Sequence, residues 1–178
     1  MQESNDRGTL LRRFFSGLTE HAFYSRLGVA DPVLVDYISG MLVRFVESDR
    51  VFGLRSPTGR RLDQVAEMLA EAEARQGEAR RHVHRHIGDF TLFWSGVYPE
   101  FIEHVRRSGG ADSLLDYGQL GRRSYYVAST IPVAKEVAPT PLLKRLSEQF
   151  DLCVYGLGEV RREWERASRE GGPELLIN

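Results

Sequence analysis

The chain has 178 residues, a formal net charge of −1, 42% apolar residues and 28% charged residues. That apolar fraction excludes a disordered chain, and the length suits one domain with a proper core. The lone cysteine, Cys153, excludes an intrachain disulfide and a cysteine-based zinc cluster, and the balanced charge argues against a dedicated nucleic-acid domain.

The opening residues, Met1 to Asp6, are polar and acidic, unlike a secretory signal. The longest uncharged run, Ser124 to Ala134, falls short of the roughly 20 residues of a spanning helix. A cytoplasmic location without membrane contact is therefore expected. Arginine outnumbers lysine 22 to 2, as a GC-rich bacterial genome would give.

Residues 1–8 read as a flexible tail. Thr9 is placed to cap a first helix carrying Leu11, Phe14, Phe15, Leu18 and Ala22 at helical spacing, with Gly28 as its stop. Asp31-Pro32 pairs an N-cap with a proline at the first helical position, so a second helix is expected to run to about Glu47. Residues 48–60 carry turn chemistry (Gly53, Ser56-Pro57, Gly59) and read as a long surface loop anchored by Val51 and Phe52.

A third helix is expected from Arg61, with Leu62, Val65, Ala66, Leu69 and Ala72 inward. A fourth covers about 78–97, with Val83, Ile87, Phe90, Trp94 and Val97 on one face. Tyr98-Pro99 breaks it and starts a short helix ended by Gly109-Gly110. Asp112 or Ser113 then caps a helix over about 114–130, where Gly118, Gly121, Ser124 and Ala128 form a small-residue face. From Thr140-Pro141 a single long helix with near-heptad apolar spacing is expected to reach Arg169, and 170–178 read as a tail. The fold expected is all-α: one domain, 9–169, as a bundle or orthogonal array of six or seven helices with a long C-terminal helix.

The chemistry-bearing feature is a seam on the fourth helix. His82 and His86 stand at i and i+4, with Glu78 one turn before and Asp89 one turn after. Two histidines and a carboxylate can supply a metal or small-molecule site, although neither a His-Glu-x-x-His nor a Glu-x-x-His pattern is present. On a structural reading, Asp89 caps a neighbouring helix or pairs with Arg122 or Arg123. The same arginines, with Tyr126, form a candidate anion site, because two guanidiniums beside a phenol offer several donors.

Cys153 falls on an apolar stripe and reads as a buried thiol, and Gly156-Leu157-Gly158 reads as close helix packing. The aromatics Phe90, Phe93, Trp94, Tyr98 and Phe101 read as core. No cofactor is specified and no catalytic motif is found. The function expected is a non-enzymatic protein-interaction or regulatory domain, self-association being one form of it. The alternative is a metal- or small-molecule-binding protein using the His/carboxylate seam.

Overall fold

A computed structural model describes residues 2–46, 55–56, 59–60, 62–135 and 137–171, with side chains from residue 8 onward. Among the described residues the chain is all-helical, with no strand. The helices are α1 (Gln2–Glu20), α2 (Pro32–Val46), α3 (Val65–Ala74), α4 (Gly77–Val97), α5 (Pro99–Ser108), α6 (Tyr117–Thr130), α7 (Thr140–Glu148) and α8 (Phe150–Arg169). No helix among the described residues is long and apolar enough to cross a membrane. Most of the expected 48–60 loop, with Val51 and Phe52, lies outside the described residues.

The first helix begins at Gln2, ahead of Thr9, and runs straight into a π-helical turn, His21–Arg26. The wider turn buries the consecutive residues Ala22 and Phe23 together. The Phe23 ring packs against Gly156 of α8 and fills the space that a Cβ at that glycine would need. Gly28, at φ +66°, reverses the chain and leads to Asp31, whose carboxylate accepts from the Leu34 N–H at 3.1 Å. The Asp31-Pro32 start is thus realised, and Asp31 also pairs with Arg145 of α7 at 2.5 Å.

Asp112 does not cap the helix that follows it. Its two oxygens accept from the backbone N–H groups of Val65 (2.7 Å) and Ala66 (2.8 Å), and its Oδ2 also accepts from the Tyr117 hydroxyl at 2.7 Å. The reason is local: Gln64 offers α3 no side-chain cap, so the 109–116 connection folds back and supplies one from a distance. The helix accordingly starts at Val65 rather than near Arg61. Asp116 takes the local role, accepting from the Gln119 N–H to start α6.

Helix α4 is the axis of the fold, with α3, α6 and α8 packed around it. From His86 to Trp94 every residue is buried, polar ones included. Small residues allow the close approaches. The Tyr125 ring occupies the space above Gly88, Phe150 that above Gly121, and Leu157 that above Gly96. The expected small-residue face of α6 therefore meets α4, with Gly121, Ser124 and Ala128 all buried. Across the Pro99 break, Trp94 and Phe101 stack with centroids 3.9 Å apart.

The expected long C-terminal helix is two helices, which raises the total to eight among the described residues. The chain breaks at Gln149, where φ and ψ are −108° and 24°. The apolar stripe serves two neighbours in different directions. Leu142, Leu143 and Leu146 of α7 lie buried beside α6, whereas Cys153, Leu157, Val160 and Trp164 of α8 lie buried along α4 and α1. One straight helix could not meet both, and Phe150 turns the corner by filling the space over Gly121.

Candidate binding site

The four seam residues of α4 separate into two environments. Asp89 is 3% exposed. Its Oδ1 accepts from both the Tyr37 hydroxyl of α2 and the Tyr125 hydroxyl of α6, each at 2.7 Å. Its Oδ2 faces the Arg44 guanidinium at 3.3 Å. Asp89 thus pairs with Arg44, not with Arg122 or Arg123, because α4 passes between α2 and α6 while Arg122 turns to Asp151 of α8 at 2.5 Å. Burial and the neighbouring carboxylate push both phenols well above their ordinary range. The node joins three helices through two phenol hydroxyls that donate to one carboxylate.

His86 is buried beside this node, its ring 6.0 Å from Phe45 and 6.3 Å from Phe90. His84, between them in sequence, is 5% exposed and faces α6, with Nδ1 3.5 Å from the Ser124 hydroxyl. Glu78 and His82, by contrast, are exposed. Among the described residues no three His, Cys, Asp or Glu side chains come together as a metal-ligand set.

Glu78 and His82 line a small cleft between the first half of α4 and the 131–139 connection. Arg81, Arg85, Val133, Lys135, Val137 and Ala138 complete it, around about 60 Å³ of space. Its floor is the buried Arg81. That guanidinium donates to the carbonyls of Ala128 (3.0 Å), Ile131 (2.7 Å) and Ala138 (2.8 Å) and reaches the Thr140 hydroxyl at 3.3 Å. One arginine so closes the end of α6 and shapes the connection.

Arg85 stands one turn above. It approaches His82 Nδ1 at 3.5 Å, its Nε is buried without a hydrogen-bond partner, and no carboxylate among the described residues pairs with it. Lys135, exposed across the cleft, likewise has no carboxylate partner among them. Three cations therefore face one carboxylate, Glu78, in the described lining. Desolvation first, and then the charges of Arg85 and Arg75, lower the pKa of His82 and hold its ring neutral at pH 7. The sequence placed Arg81 and Arg85 at i and i+4 on the same helix, but nothing in it brought Lys135 to their side.

The other candidate group does not converge. Arg122 is engaged by Asp151, while Arg123 is exposed and contributes repulsion at His84 on the α4 side. Tyr126 is 55% exposed. Cys153 is buried, its thiol pushed up to about 12 by burial. A wider groove of about 460 Å³ runs between α1 and α2, but the hydroxyls at its base, Ser16 and Ser39, satisfy one another at 3.1 Å. No family model, curated protein or solved structure matches the chain.

Proposed function

We propose that the protein is a non-catalytic interaction domain that holds an acidic segment of a partner protein at the cleft between α4 and the 131–139 connection. The observation that carries this reading is the pair Arg85 and Lys135, two cations facing one cleft with no carboxylate partner among the described residues. Other buried charged groups have structural duties: Asp89 ties three helices, Asp112 caps α3, Glu159 pairs with Arg26 and Arg162, and Arg81, on the floor of the cleft, holds the connection.

Size argues for a side-chain group. About 60 Å³ lies far below the roughly 300 Å³ or more of a pocket for a drug-sized ligand. A carboxylate of a partner fits that space, and Val137, 82% exposed at the rim, offers an apolar contact beside it. Self-association draws no separate support. The near-heptad stripe and the small-residue face that suggested it are both buried within the chain.

A fluorescent glutamate oligopeptide titrated into the protein tests the proposal by anisotropy. Binding should weaken with salt and be lost in Arg85→Glu/Lys135→Glu. Equal binding by the wild type and that variant, or a preference for a lysine oligopeptide, would overturn it.

A further inference from the structure

We propose that the cleft is an oxyanion site whose affinity is governed by a proton on His82. This rests on the reading of the cleft as the binding surface. It adds the chemical class of the group bound, a carboxylate, sulfate or phosphate, and the condition under which it is held.

From α4 itself His82 meets Glu78, Arg81, Arg85 and Asp89. The end of α3 contributes Arg75, and the connection contributes Lys135. Arg85 stands 3.5 Å from Nδ1. With the cleft empty, those guanidiniums repel a proton on the ring. An oxyanion seated between Arg85 and Lys135 reverses that field. Its negative charge offsets the two cations, and its oxygens accept from a ring N–H. The ring then favours the imidazolium, which adds a third donor to the site. Because the coupling is reciprocal, whatever the anion does for the proton the proton does for the anion. Protonation linkage of this kind needs an imidazole that is exposed and beside the ligand. His82 meets both conditions, whereas His84 and His86 are buried.

Sulfate is the suitable probe, because its charge does not change between about pH 8 and about pH 5.5, the range in which histidine titrates. Nuclear magnetic resonance titrations at both pH values would follow the α4 and 131–138 amides together with the His82 ring. Sulfate should bind several-fold more tightly at the lower pH, approaching the limit of about tenfold that a shift of one pKa unit in the ring allows. In His82→Gln the ratio should fall to about one, and in Arg85→Gln/Lys135→Gln the cleft resonances should no longer move at either pH. A pH-independent affinity in the wild type, or an acid enhancement that persists in His82→Gln, overturns the proton linkage and leaves the binding surface in place. Silence of the cleft resonances towards sulfate, in a protein that still binds the glutamate oligopeptide, overturns the extension to sulfate and phosphate and leaves a carboxylate site. Silence towards both overturns the surface as well.

Discussion

Asp89 of α4 accepts a 2.7 Å hydrogen bond from Tyr125 of α6, and the ring of that tyrosine lies over Gly88, the residue beside Asp89. Two adjacent positions therefore settle how α4 meets α6: one by having no side chain, the other by supplying a buried charge. Tyr37 binds the same carboxylate oxygen from the other side. Tyr125→Phe should cost about 1–2 kcal/mol, because a charged acceptor loses one of two phenol donors. Asp89→Ala should cost more, about 3–5 kcal/mol, since it strands two phenols beside Arg44. Urea denaturation of the three proteins checks the order.

Glycine substitutions should divide by what stands above them. A Cβ at Gly88 would meet the Tyr125 ring at 2.6 Å, whereas one at Gly17, inside α1, meets nothing within 4 Å. Gly88→Ala should therefore destabilise by about 1–3 kcal/mol through overpacking. Gly17→Ala should stabilise by up to about 1 kcal/mol through helix propensity alone. Thermal melts of the pair should move in opposite directions.

The distant cap of α3 makes a separate prediction. Asp112→Ala removes acceptors for the Val65 and Ala66 N–H groups and for the Tyr117 hydroxyl. A loss of about 2 kcal/mol is expected, at the upper end for a cap. Hydrogen exchange should show the loss first at the α3 amides and not at those of α8.

Stability should fall at both ends of the pH range. Burial, and for some a nearby carboxylate, raises the phenols of Tyr37, Tyr98, Tyr117 and Tyr125, with Tyr98 up to about 12. The unfolded chain releases these protons first, so the stabilisation is complete below about pH 10 and is lost as pH rises beyond it. On the acid side His84 runs the opposite way. Desolvation first, and then Arg80, depress its pKa, with Glu73 opposing and Arg123 adding to the fall. The unfolded imidazole binds a proton more readily, so stability contributed by neutral His84 is lost as pH falls below about 6.5. Urea midpoints across pH should show both limbs. His84→Gln should flatten the acid one, and Tyr125→Phe the alkaline one.

Local signals were legible in the chain. Apolar spacing identifies helix faces, and Asp31-Pro32 and Thr140-Pro141 mark helix starts, because these signals act within a turn or two of backbone; Asp31 is the cap of its helix, whereas Thr140 is already the first residue of α7, after Pro139. Cys153 and the aromatics around Pro99 read as core for the same reason: their positions continue an apolar stripe. The candidate site was legible only in halves. His82 and Glu78 lie on the cleft, but its decisive partner Lys135 arrives from a connection that no local pattern positions.

Tertiary structure decided the rest, wherever a residue's partner lies far along the chain. Asp112 caps a helix nearly fifty residues earlier, a choice made by the fold of the 109–116 connection. Asp89 selects Arg44 and two tyrosines because α4 runs between α2 and α6, which sets its neighbours irrespective of sequence distance. The break at Gln149 has the same origin: a stripe continuous in sequence must face two helices that diverge in space. Short-range periodicity determines which residues turn inward; only packing determines what they meet there, because burial makes each polar group find whichever partner the fold brings within reach.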